Sequence, residues 1–338
     1  MPCAIGYFTG TVVVALATAL SASEACAQPA PSSSQLNQLM RHRQEMSRRA
    51  VDEPTRRRFE EGKSDTTFPS DLARVKKGSV VHAHTPEELK ALKHNERGLQ
   101  LFSKGKQDDA IKEYQEAIRS DPKLAAAHNN LGSAYFASGR FEEAAAAFHR
   151  ACELDGEYGQ AFFNLALAQI KLGHEKEANE TLNTAVRAYN AAGVAHLKAG
   201  RLNEAEEAFR GMLQIDPEYA PALMRVALVC NAAGRYEEAA RNVRRVTERE
   251  PGNSAAHEIL AEALYGEKKY DAAAAAAELA IKLSPDSPYA HYLAGLARAT
   301  LGQRDSALVH LTRLEQLKAP DLAQPLSDFI NKKPPAKQ

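Results

Sequence analysis

A small residue followed by alanine twelve positions later recurs seven times between residues 91 and 320, and no other feature restricts the fold of this 338-residue chain so tightly. The pairs are Gly98/Ala110, Gly132/Ala144, Ala166/Ala178, Gly193/Ala205, Ala227/Ala239, Ala261/Ala273 and Gly295/Ala307. A glycine stands midway in six of them, at Gly105, Gly139, Gly173, Gly200, Gly234 and Gly302, and Lys268 takes that place in the sixth pair. A bulkier apolar residue follows the alanine by four in six units, at Tyr114, Phe148, Leu182, Phe209, Val243 and Leu311, with Ala277 the exception. Self-similarity at a fixed period of this length marks a stacked repeat architecture.

Each position has a mechanical reason. A short helix, a glycine turn and a second short helix make an antiparallel pair. Two helices approach closely only where their side chains are small, and the bulky residue one turn on fills the space beside that crossing. The 62 alanines and the absence of Trp suit this design and lean helical. Asp121-Pro122, Asp216-Pro217, Glu250-Pro251 and Ser284-Pro285 close four units, because proline stops one helix and is tolerated at the start of the next. Thr85-Pro86-Glu87-Glu88 predicts a capping box with proline at the first helical position.

Units begin near residues 91, 125, 159, 186, 220, 254 and 288, so the third holds only 27 residues. No Pro or Gly lies between His174 and Ala192 to reverse the chain. The second helix of unit three is therefore predicted to run into the first helix of unit four, with two lobes meeting around residues 180–195. After the seventh unit, Leu322, Leu326, Phe329 and Ile330 predict a capping helix with one apolar face.

The run Leu131-Gly132, Tyr135, Gly139-Arg140-Phe141, Ala144, Phe148, Ala151 and Asp155 resembles the tetratricopeptide repeat family, and the likeness extends over about residues 91–320. It implies an all-α fold, a right-handed α-solenoid of about seven helix-turn-helix units with a C-terminal capping helix. Two departures stand out: Gly156 replaces the terminal proline of unit two, and the family's frequent early Trp is replaced by His94, His128, Phe162, Tyr189, Leu223, His257 and His291. Histidines one repeat apart sit about 10 Å from one another, a helix-packing distance too long for a shared metal ion, so they read as packing residues. The resemblance further implies that the first helices line a concave surface. Its contact stripe here comprises Asn95, Leu99, Phe102, Asn129, Phe136, Phe163, Leu167, Ile170, Val194, Leu197, Met224, Leu228, Tyr265 and Tyr292. Asn190, Asn231, Glu258 and Glu262 lie on the same stripe. An apolar, aromatic trough of this kind marks a contact site. The family's clamp for a C-terminal carboxylate needs basic residues that the corresponding positions lack, and only Asn95 and Asn129 match it.

Outside the repeats, Cys3–Ala22 carries no charge, Thr11–Leu20 is apolar, and Ala25-Cys26-Ala27 offers a small-x-small cleavage pattern. The reading is an export signal cut after Ala27, leading to a periplasmic or cell-envelope location. A retained membrane anchor and a lipid-modified Cys26 are the alternatives, although no Lys or Arg precedes the apolar run. Residues 28–84 form a basic arm of low order, with Arg41, Arg43, Arg48, Arg49, Arg56, Arg57 and Arg58 interspersed with a few acidic residues. His82-Ala83-His84 supplies two metal ligands with nothing to complete a set, so no metal is expected. The chain then divides into a signal over 1–27, the arm over 28–84, units one to three over 85–185, units four to seven over 186–320, a capping helix over 321–331 and a polar tail over 332–338.

Forty-three basic and 43 acidic residues balance, which argues against nucleic-acid binding through bulk charge. Four cysteines are too few for a disulfide scaffold, and Cys152 and Cys230 at buried helical positions read as packed thiols. No nucleophile elbow, P-loop, dinucleotide fingerprint, H-E-x-x-H or C-x-x-C occurs, so neither catalysis nor a cofactor is expected. The expected function is a non-enzymatic scaffold holding an extended or helical segment of a protein partner along the first helices. The alternatives are a membrane-surface or polyanion binder acting through residues 41–58, or an accessory subunit regulating a separately encoded enzyme.

Overall fold

The computed structural model describes residues 85–331, in which there are fourteen helices and no strand. The export signal, the basic arm with its arginines, His82-Ala83-His84 and the tail lie outside the described residues. Helices α1 (Pro86–Ser103) and α2 (Gln107–Ser120) form the first hairpin, and α3 (Ala125–Ala137) and α4 (Phe141–Leu154) the second. Helix α5 (Gly159–Lys171) opens the third and is followed by α6 (Glu175–Lys198) and α7 (Leu202–Ile215). Then come the pairs α8 (Ala220–Ala232) with α9 (Tyr236–Arg249), α10 (Ser254–Gly266) with α11 (Tyr270–Leu283), and α12 (Pro288–Thr300) with α13 (Arg304–Gln316); α14 (Pro320–Asn331) ends the series. The described residues fall into two compact units, 85–192 and 193–331. Among them no helix is long and apolar enough to cross a membrane.

Local chemistry explains the helix ends. Thr85 and Glu88 close the capping box reciprocally, with Pro86 at the first turn. At the ends of α2, α4 and α7, Asp121, Asp155 and Asp216 leave the helical region and accept a hydrogen bond from the backbone N–H two residues on, which sets the turn into the next helix. Asn253 and Ser287 cap α10 and α12 through side-chain oxygens. Between α1 and α2 the Gly105 N–H bonds to Phe102 O and the Lys106 N–H to Leu101 O, the Schellman pattern, with Gly105 at φ +73°. The five other mid-unit glycines share this left-handed conformation, and so does Lys268, at φ +63° between α10 and α11.

Within each hairpin the small residues set how closely the helices lie. A Cβ on Gly98 would stand 2.4 Å from the Tyr114 ring, on Gly132 2.6 Å from the Phe148 ring, and on Gly193 2.3 Å from the Phe209 ring. Ala110, Ala144, Ala166, Ala178, Ala205, Ala227, Ala239, Ala261, Ala273 and Ala307 are fully enclosed. Gly295 differs: its neighbour is Leu326 of α14, at 2.6 Å, in place of the bulky residue of its own hairpin.

The short third unit produces α6, a single 24-residue helix with no turn at Tyr189-Asn190. Gly159 at the start of α5 gives room for its Tyr189 ring, at 2.7 Å from a built Cβ. Helix α14 presents Ala323, Leu326 and Ile330 to Leu296, Leu311 and Leu314. Arg304 reaches across to the Ile330 carbonyl and to Asn331 Oδ1, tying down its C-terminal end. Phe329, expected on the inner face, is instead exposed, because the buried seam runs through residues 323, 326 and 330 and Phe329 lies off it.

Candidate functional site

The first helices of neighbouring hairpins touch side by side: α1 with α3 and α3 with α5 in the first compact unit, α8 with α10 and α10 with α12 in the second. This repeated contact brings the stripe residues of successive helices into register, and it also determines which of them stay open.

In residues 85–192 Asn95 and Asn129 are enclosed, and Asn190 is half-buried. Asn130 donates to Asn95 Oδ1 at 2.9 Å and Asn164 to Asn129 Oδ1 at 3.0 Å, each bond spanning one repeat plus one residue. Gln160 donates to Asn164 Oδ1, and the Tyr189 hydroxyl donates to Gln160 Oε1. Asn95 and Asn129 are both 3% exposed. They are structural amides, not contact residues, because a buried amide must find partners and these find one another across the helix seam. Phe163 is likewise buried, and so is Leu197 in the second unit; both leave the predicted contact set. Leu99, Phe102, Phe136, Leu167 and Ile170 remain half-buried. Leu99 and Phe102 rest on the core of the first hairpin, and Phe136 packs edge-on against Phe141 with ring centroids 5.2 Å apart.

In residues 193–331 Val194, Met224, Leu228, Tyr265 and Tyr292 are half-buried. Met224 Sδ accepts from Asn253, and the Tyr265 hydroxyl meets Thr300 Oγ1 at 3.0 Å. Glu262 (7% exposed) and Asn231 (5%) sit deeper, joined by an Asn231 Nδ2 to Glu262 Oε2 bond of 3.1 Å. Burial pushes the Glu262 carboxyl up to about 7, against the opposing hydrogen bonds from Asn231 and Tyr289. Burial likewise raises Glu258, which accepts from Ser287. Tyr289, absent from the predicted stripe, is raised well above its ordinary value by burial and by Glu262. The signal that points to this cluster in sequence is a pair of glutamates one helical turn apart inside an otherwise apolar stripe.

The histidines have their own assignments. His128, His257 and His291 each place Nε2 3.0–3.1 Å from the carbonyl of a proline six residues earlier, pinning the loop that leads into each helix. His94 pairs with Glu113 at 2.7 Å. Among the described residues one group of metal-capable atoms does converge: Glu206, Cys230 and Glu238, mutually within 4.8 Å. Arg210 and Arg235 already pair with both of these carboxylates. Burial would raise Glu206, but the hydrogen bonds from Arg235 and Arg210 prevail and hold it below its ordinary value. Burial pushes the Cys230 thiol up to about 11, away from the thiolate that a metal would need. The donor set suits a structural ion-pair network.

Comparison with known proteins follows the same register. A TPR repeat model matches residues 98–139 and 132–173, and two tetratricopeptide repeat models match residues 163–220 and 196–263. No curated protein sequence matches the chain. Among solved structures, the second TPR of Spaghetti (RPAP3), bound to an HSP90 peptide, is 31% identical over 30% of this chain and 94% of that one, with a TM-score of 0.30. A tetratricopeptide repeat protein from Parabacteroides merdae is 18% identical over 72% of this chain and 99% of that one, with a TM-score of 0.38. YrrB, described as a TPR protein with an unusual peptide-binding site, is 19% identical over 59% and 89%, with a TM-score of 0.29. With seven units in one sequence register, hairpins closed by glycine turns, and family models matching successive segments from residue 98 to residue 263, the chain belongs to the tetratricopeptide repeat family.

Proposed function

We propose that this protein is a non-enzymatic scaffold that holds a segment of a protein partner along its first helices. The observation that carries the reading is the row Leu99, Phe102, Phe136, Leu167 and Ile170, apolar side chains kept half-buried on α1, α3 and α5 where a packed core would enclose them. Family membership favours interaction over catalysis, and the best-converged cluster of reactive groups is neutralised by arginines. An apolar row on successive parallel helices suits an extended or helical segment that anchors at several points.

The decisive measurement places a photo-crosslinking residue at position 136 or 167 of the full chain in its native host, with position 150 on exposed Arg150 of α4 as control. Capture of one same protein from 136 and 167 but not from 150 is the expected outcome. Equal capture from all three, or from 150 alone, overturns the reading. The proposed setting is the cell envelope, reached through the leader cut after Ala27. Mass spectrometry of the mature chain should find Gln28 at its N-terminus; a chain that retains residues 1–27 in a cytoplasmic fraction overturns that placement.

A further inference from the structure

Glu206 and Glu262 are buried to nearly the same extent, 9% and 7% exposed, yet only one of them has a cation. Two guanidinium groups meet Glu206. Glu262 is in no ion pair with any described residue, and neither is Glu258, one helical turn before it on α10. A buried carboxylate without a counter-ion is expensive, and proteins normally supply the missing charge.

Hydrogen-bond accounting shows the same shortage. Both hydrogens of Asn231 Nδ2 are committed, to Ile259 O at 3.2 Å and to Glu262 Oε2 at 3.1 Å. The Tyr289 hydroxyl is engaged with Glu262, and the Ser287 hydroxyl with Glu258. Asn231 Oδ1 is left buried with no partner at all. Its amide cannot be reversed, because that would set its oxygen against the carboxylate. With Glu262 ionised, the buried part of the cluster holds an acceptor, Asn231 Oδ1, to which no described group donates, and Glu258, Tyr289 and Tyr292 are half-buried at its edge. The Tyr289 and Tyr292 rings lie nearly parallel, 22° apart with centroids separated by 6.3 Å, and offer π faces suited to an organic cation.

We infer that the face formed by Glu258 and Glu262 of α10, Asn231 of α8 and the paired tyrosines of α12 is a binding site for a lysine or arginine side chain of the bound segment. The inference rests on the partner-segment reading above and gives that segment a chemical requirement. The incoming ammonium or guanidinium donates to Glu262 and Asn231 Oδ1, and its alkyl stem lies against the tyrosine rings. In the empty site Glu262 shares its place with a proton, which the cation displaces. The groups facing it are Asn231, Glu258, Tyr289 and Tyr292; neither tyrosine ionises near neutral pH, so Glu262 sets the pH response.

The test uses the full chain with glutamate carboxyls labelled with carbon-13. The probes are Nα-acetyl-lysine methylamide, its arginine counterpart and the neutral norleucine counterpart. The expected result is that either cationic probe lowers the titration midpoint of Glu262 by about one pH unit or more while norleucine leaves it in place. Binding of the cationic probes should be about tenfold weaker near pH 6 than near pH 8. Glu262→Gln, with its melting curve checked, should abolish the difference between cationic and neutral probes, and Glu258→Gln should reduce it. An unmoved midpoint, or an equal response to all three probes, overturns the site and leaves the partner-segment reading standing. That reading fails on the crosslinks at positions 136 and 167, which lie in the other compact unit and do not touch this readout.

Discussion

Asn129 illustrates what one residue does in this design. Its side-chain oxygen accepts from Asn164, so Asn129→Ala leaves a buried amide hydrogen with nothing to bond. The expected cost is about 1–3 kcal/mol, read as a drop in the urea midpoint. Lys268 occupies a left-handed turn position that six other units give to glycine. Lys268→Gly should stabilise the chain by roughly 0.5–1 kcal/mol by relieving a strained backbone, visible as a higher melting temperature. Glu262 carries a pH signature. Its folded-state midpoint, about 7, lies above that of an unfolded glutamate, so the stability linked to its proton is present in full below the unfolded value and is lost as pH rises through about 7. Glu262→Gln should gain on the parent by about 3 kcal/mol between about pH 4 and about pH 8, measured by urea unfolding at both ends. A parallel pH dependence in parent and variant would show that Glu262 keeps an ordinary midpoint.

At the scale of elements, α6 follows from a third unit too short to hold a turn, with good helix formers running through its junction with the fourth. Ala191 lies exposed in it, so Ala191→Pro alters the backbone without opening a core. The expected loss is about 3 kcal/mol or more of stability, with a fall in helical circular dichroism. Such a helix was legible from its sequence, since the absence of Pro and Gly from residue 175 to residue 192 is a local fact. The small-residue crossings were legible too, because a Cβ at Gly98, Gly132 or Gly193 has no room beside the ring four residues after the paired alanine. The partner of Gly295 was not. It comes from α14, a helix outside the repeat period, and no spacing rule announces which of its side chains turns inward.

Within each compact unit a hairpin touches chiefly its neighbours in sequence, so stability there is built from successive interfaces. Ending the chain at Lys318 removes α14 and uncovers Leu296, Leu311 and Leu314. Hydrogen exchange should then accelerate in α12 and α13 and remain near its parent rate in α1–α4; uniform acceleration would mean that the chain unfolds as one block.

By itself the sequence determined the hairpins, their turns, their crossings and the long α6, because each depends on residues within one repeat or at its boundary. Only the tertiary structure decided which stripe residues remain open. The same face of a first helix meets both the outside and the next first helix, and the distance to that neighbour separates a buried Asn95 or Phe163 from a half-open Phe136. It also decided the charge of two similar glutamates. Helical spacing places Glu206 and Glu262 on their faces and sets Arg210 one turn from Glu206, but only the tertiary packing brings Arg235 to one carboxylate and Tyr289 to the other.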